Sequence, residues 1–157
     1  NKAEAAGIIA NAYKEAGVDS VCIKETPLLK EIGVVKALSD AGIEVFTDHI
    51  RLHAETAKGG ITEAQCGIAD LGSLIQMEDD IDCRMIAIMP EYYIGVVKAS
   101  TIVDDYDAAF DKLCSLETLP AFVVFIAGPS RAADIECVST VGVHGPLKLS
   151  IVVIADA

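Results

Sequence analysis

The chain has 157 residues, 52% of them apolar and 23% charged, with a formal net charge of −12. That length is the size of one domain, spanning 1–157, and the apolar content suffices for a substantial core, which excludes a disordered chain. The acidic balance argues against nucleic acid or an anionic membrane surface as a partner, and no apolar run approaches membrane-spanning length.

Lys2 to Ala16 has the spacing and alanine content of a helix, stopped by Gly17. Val18 to Lys24 reads as a strand. Thr26-Pro27 opens a second helix, with proline at its favoured first position, and Gly42 ends it. Ile43 to Thr47 is a further strand, and His49 to Lys58 a third helix closed by Gly59-Gly60. Helix and strand alternate here, which predicts parallel strands with crossover helices. Gly59-Gly60-Ile61-Thr62-Glu63 has two readings: a flexible lid whose Glu63 is a base, or a helix start capped by Thr62. Gly67 to Met77 suggests two short strands or a bent hairpin around Gly72. Glu78-Asp79-Asp80 with Asp82 reads as a solvated turn, since a glycine-centred calcium loop is missing. Short elements around Pro90 follow (Met85 to Met89, Ile94 to Lys98), then a helix from Asp104 to Leu116 with acidic residues in its first turn. Apolar runs from Ala121 to Ala127 and from Leu147 to Ile154 read as buried strands.

Between those last two strands lies the densest chemistry of the chain: Gly128-Pro129-Ser130-Arg131-Ala132-Ala133-Asp134-Ile135-Glu136, then Gly142-Val143-His144-Gly145-Pro146. Gly128 lets the backbone leave its strand sharply, Pro129 fixes a turn dihedral, and Ser130 is a good N-cap for a short helix to about Cys137. A helix start after a strand favours anions, and the Arg131 fork suits carboxylate or phosphate. Asp134 and Glu136 are placed to pair with Arg131, to order a substrate hydroxyl or to handle a proton, and His144 is a candidate proton donor or acceptor. The alternative is a tight turn whose Arg–Asp pair only fixes loop geometry. Asp70, in a mostly apolar run, needs a donor if buried, with Arg84 or Arg131 as candidates.

Five cysteines (Cys22, Cys66, Cys83, Cys114 and Cys137) form no CxxC pair, and reduced thiols in a cytoplasmic protein are the expectation. The N-terminus has no signal-like apolar region. His49 and His53 would share a helix face as zinc ligands do, but no third ligand is near and the HExxH glutamate is missing. A solvated helix face is the better reading, and no metal site is expected.

From about Gly60 onward the chain resembles the LUD (lactate utilisation) domain family, of LutC/YkgG type. The matching segments are Gly60 to Ala64, Gly67 to Leu74, Arg84, Met89-Pro90, Ile94 to Val97, Ile102-Val103, and the two loop motifs beginning at Gly128 and Gly142. The first sixty residues match through Lys24 and Glu31-Ile32-Gly33. Leu71 and Ala132 stand where the family usually has threonine, so ligand identity or strength is expected to differ here. The resemblance implies an α/β fold of NagB/RpiA/CoA-transferase-like type with a parallel-rich sheet. It also implies a subunit of a system converting L-lactate to pyruvate. No cofactor is expected in this chain, and iron–sulfur clusters are expected on partner proteins. In that reading Arg131, Ser130, Arg84, Asp70 and Glu136 bind a small carboxylate or other anion, while Glu63, His144 and Asp134 handle protons. The alternative from a different class is a stand-alone binder or enzyme acting on a sugar phosphate or acyl-CoA, which the few basic groups disfavour.

Overall fold

A computed structural model describes residues 1–132 and 141–157. The first helix, α1 (Lys2–Glu15), is alanine-rich and begins where the Asn1 side chain accepts the Glu4 N–H. Strand β1 (Ser20–Ile23) follows. The helix expected from Thr26 to Gly42 is two: α2 (Pro27–Glu31) and α3 (Val34–Asp40). Gly33 separates them with φ of 72°, a left-handed conformation that glycine adopts without a Cβ clash. Strand β2 (Glu44–Phe46) comes next.

The helix expected from His49 to Lys58 is a single turn, α4 (Ile50–His53). His49 stands before it at φ of 49°, and His53 stacks on Phe46 with ring centroids 3.7 Å apart. The two histidines therefore share no helix face. Gly59 to Glu63 is neither a lid nor a helix start, because these residues form β3 (Gly59–Glu63), the central strand of a sheet. The remaining elements are β4 (Cys66–Ile68), β5 (Ser73–Glu78), α5 (Ile81–Ile88), β6 (Tyr92–Lys98), β7 (Ile102–Val103), α6 (Tyr106–Cys114), β8 (Phe122–Ile126) and β9 (Lys148–Ile154). The expected hairpin around Gly72 is the antiparallel β4–β5 pair. The acidic turn is more than solvated, because the Asp80 side chain caps α5 by accepting the Asp82 N–H at 2.8 Å.

The chain folds into two sheets. The five-stranded sheet is parallel throughout, in the order β2-β1-β3-β6-β9, as the α/β pattern predicts. The four-stranded sheet, β7-β4-β5-β8, is mixed. One face of the parallel sheet presents Ile61, Ile94 and Val96 to α1, α2 and α3, where Ile9, Leu29, Val34 and Leu38 complete the largest apolar cluster. The other face packs on α4 and α5 through Cys22, Ile50 and Ile86, and on the second sheet through Tyr93, Val97 and Leu74. Helix α6 closes the far side of the second sheet with Ala109 and Leu113. Close approach sets this second interface: a Cβ on Gly60 would lie 2.5 Å from the Ile86 carbonyl oxygen.

Strand order fixes where a crevice opens. From β1 the chain moves outward to β2, returns past β1 to β3, and builds away through β6 to β9. The direction reverses between β1 and β3, so the space beyond their carboxyl ends is the topological switch point, where open α/β sheets bind ligands.

Candidate functional site

Three neighbouring strands each deliver a charged residue to that carboxyl edge: Lys24 just after β1, Glu63 at the end of β3, and Lys98 at the end of β6. Thr26, the N-cap of α2, lies there as well, and its hydroxyl donates to Glu63 Oε2. Glu63 Oε1 meets Lys98 Nζ at 3.3 Å, with the carboxylate 17% exposed and the lysine 40%. Lys24 pairs instead with Asp80, on the α5 side. Hydrogen bonding to Lys24 holds the Asp80 carboxyl below its usual range, and the same bond raises the Lys24 ammonium.

Beneath this edge, between the two sheets, runs a buried polar chain. Thr62 Oγ1 donates to Gln76 Oε1 at 2.8 Å and lies 2.6 Å from the Tyr93 hydroxyl. Gln76 Nε2 and Gln65 Nε2 both reach Glu78 Oε1. Burial raises the Tyr93 phenol well above its ordinary value, and burial together with Glu78 pushes the Cys83 thiol up to about 12.

The loop singled out by sequence lies elsewhere. Gly128 packs against Leu149, which pairs with Tyr93 near the amino end of the parallel sheet. Leu149 and Ile126 belong to the inter-sheet cluster, whereas Glu63 follows Ile61 on the α1–α3 face. Glu63 and the loop thus occupy opposite faces. Within the loop the two motifs do meet: the Gly142 N–H donates to the Ser130 carbonyl at 2.9 Å, and Gly142 sits against Pro129. The Ser130 hydroxyl accepts the Ala132 N–H at 3.3 Å.

Gly72, Gly128, Pro129, Arg131, Lys148 and Leu149 line a cleft of about 650 Å³. Arg131 is exposed and makes no ion pair with a described residue, and Lys148 Nζ rests 4.2 Å from the Tyr92 ring centroid. His144, also exposed, lines an adjoining apolar cleft of about 240 Å³ with Ile88, Phe125 and Leu149. Leu71 and Ala132 are exposed neighbours of the cleft residues Gly72 and Arg131, so both departures from the family's threonines fall at this cleft.

Asp70 and Arg84 stay apart from each other and from Arg131. Asp70 is exposed on the β4–β5 turn, where its N–H donates to the Asp104 carbonyl, so the buried carboxylate in need of a donor does not arise. Arg84 donates to the Asp79 carbonyl at 3.1 Å and lies over the Phe122 ring, while its Nε is buried without a partner. Asp134 and Glu136 lie outside the described residues, as does most of the expected helix to Cys137. Among the described residues there is no group of three or more His, Cys, Asp or Glu placed to hold a metal ion. Nor is any described helix long and apolar enough to cross a membrane.

Thr26 and Lys98 escaped the sequence reading. A signal for Lys98 was present, because Val-Cys-Ile-Lys24, Gly-Ile-Thr-Glu63 and Ile-Gly-Val-Val-Lys98 each end a strand run on a charge. In a parallel sheet those ends share one edge.

Comparison with known proteins places this architecture. Lactate utilization protein C of Halalkalibacterium halodurans is 33% identical over 156 residues, covering 94% of this chain and 68% of that protein. The uncharacterized protein YkgG of Escherichia coli is 31% identical over 165 residues, covering 99% of this chain and 71% of that one. The crystal structure of a DUF162 family protein from Deinococcus radiodurans superimposes with a TM-score of 0.65 at 20% identity, covering 98% of this chain and 84% of the other, which establishes the shared fold. The family model described as LUD domain matches residues 1–154, and the chain belongs to that family.

Proposed function

We propose that this protein is a subunit of a cytoplasmic lactate-utilisation system that converts L-lactate to pyruvate together with iron–sulfur partner proteins. The observation that carries the reading is its similarity, along 94% of its length, to a protein named lactate utilization protein C. The conversion removes two electrons and two protons from the substrate. The side chains gathered at the carboxyl edge and at the Arg131 cleft are acids, cations and an imidazole, which handle charge and protons rather than store electrons. In this reading the electrons pass to clusters on the partners. Arg131, with Ser130 and Lys148, meets a carboxylate, either the substrate's or an acidic side chain of a partner. At this cleft Glu136 orders the substrate and His144 and Asp134 transfer protons, whereas Asp70 and Arg84 lie apart from Arg131 and Glu63 is on the opposite face of the sheet.

The test is reconstitution. Lactate-dependent reduction of the clustered partner proteins is measured with and without this chain, and with Arg131→Ala and His144→Ala variants. Activity that requires the chain and falls in both variants is expected. Full activity without the chain, or turnover of a sugar phosphate or acyl-CoA by the isolated protein, would overturn the reading.

A further inference from the structure

We infer that the crevice beyond the carboxyl ends of β1, β3 and β6 is a second binding site, built from Glu63, Thr26 and Lys98, and that it takes a small 2-hydroxy carboxylate. The site deepens the function proposed above and rests on that reading only for the choice of probe.

The donors and acceptors define the ligand. Thr26 donates its hydroxyl proton to Glu63 Oε2 and accepts the Leu29 N–H, so its one proton is spent on aiming the carboxylate. Glu63 Oε1 lies 3.3 Å from Lys98 Nζ as an ion pair. A carboxylate offers about four lone-pair sites and an ammonium three protons, so Glu63 retains acceptor capacity and Lys98 retains donors for a ligand. An acceptor and a cation 3.3 Å apart call for a ligand with a hydroxyl and an anion on adjacent atoms. A 2-hydroxy carboxylate has that pattern, its hydroxyl donating to Glu63 and its carboxylate receiving from Lys98.

A purely structural ion pair is the competing account. Partly buried ion pairs are weak contributors to stability because desolvation offsets their attraction. This one joins β3 to β6 beside the switch point of the sheet, and its cation stays 40% exposed, open to a ligand from solvent. The exposed pair Lys58–Asp19, 3.2 Å apart, supplies the contrast of an ion pair away from the crevice.

The experiment is ligand-observed NMR titration of the purified protein with L-lactate and with propionate, which lacks only the hydroxyl. Lactate is expected to bind at least about tenfold more tightly, since a site that hydrogen-bonds a hydroxyl rejects the analogue without it. Lys98→Met is expected to abolish lactate binding, Glu63→Met, which removes the acceptor, to erase the preference over propionate, and Lys58→Met to leave both intact. A melting temperature for each variant separates lost binding from lost folding, and Lys98→Gln, which also removes the charge, stands in if Lys98→Met fails to fold. Equal binding of lactate and propionate, no binding of either, or lactate binding that survives Lys98→Met would overturn the inference. Should lactate binding survive Lys98→Met but vanish in Arg131→Ala, the crevice fails while the Arg131 cleft and the proposed function stand. Should the crevice bind lactate while reconstituted activity ignores the chain, the proposed function fails alone.

Discussion

The carboxyl edge of the parallel sheet and the Arg131 cleft carry similar residue types in opposite settings. At the edge, Glu63 is mostly buried and both of its oxygens are engaged, by Thr26 and Lys98. In the cleft, Arg131 and Lys148 are exposed, and the loop is shaped by backbone contacts such as Gly142 to Ser130. The edge is aimed by the rigid strands beneath it, whereas the cleft presents cations to whatever arrives. A preorganised group suits a small ligand or a proton, and open cations suit a partner surface as readily as a ligand. Substitutions that disturb the packing under the edge should therefore cost stability, and those in the cleft should cost only function.

The largest effect is expected on the strand that carries Glu63, at Gly60. Gly60→Ala would set a methyl against the Ile86 carbonyl oxygen at 2.5 Å and Pro90 Cγ at 2.8 Å, so α5 must move. Urea denaturation should show a loss of about 1–3 kcal/mol, toward the upper end, as overpacking produces. By contrast, a Cβ on Gly145 in the loop meets open space, leaving only the strain of its φ of 76°. Gly145→Ala should lose about 1 kcal/mol. Equal losses at the two positions would mean the two regions are equally rigid.

Next comes the polar chain between the sheets. Thr62→Val keeps the shape but leaves both the Tyr93 hydroxyl and Gln76 Oε1 without this partner. The expected loss is about 1–3 kcal/mol. Tyr93→Phe should be milder, because Thr62 can still donate to Gln76. The reverse order would show that Tyr93 has another partner in solution.

These positions also mark what the sequence could and could not reveal. The strands were legible because runs such as Val18 to Lys24 and Leu147 to Ile154 are apolar and β-branched. Gly59 to Glu63 was not, since two glycines beside a threonine and a glutamate mimic a loop or helix start. Those glycines are there because α5 packs directly on the strand, a tertiary demand with no local signature. The Arg131 motif was conspicuous because a surface loop concentrates polar residues in a few adjacent positions. The crevice was hidden because Thr26, Glu63 and Lys98 are scattered along the chain, and only the parallel register joins them.

A smaller effect is expected at the rim of the crevice, with a defined pH dependence. The folded-state pKa of Asp80 is lowered by Lys24, so its contribution is present above the unfolded carboxyl value and fades as pH falls through the lowered folded one. Asp80→Asn should destabilise by about 0.5 kcal/mol at neutral pH, the range for a pair a third exposed. The gap between wild type and variant should narrow below about pH 4, near the ordinary carboxyl value. A gap that widened on acidification would mean the carboxyl is protonated more easily in the folded protein, contrary to its pairing with Lys24.

The smallest stability effect, and the sharpest test of the contrast, belongs to Arg131→Ala. The side chain is exposed and has no ion pair with a described residue, so the melting temperature should be unchanged, within about 0.5 kcal/mol in stability. If the cleft serves a partner's acidic group, the loss appears as weaker capture by the iron–sulfur proteins that eases with rising salt, because exposed charges are screened. If the cleft instead holds a substrate carboxylate, partner capture stays intact and the KM for lactate rises. A destabilised variant would contradict both, and would make Arg131 a structural strut of the kind found at the sheet edge.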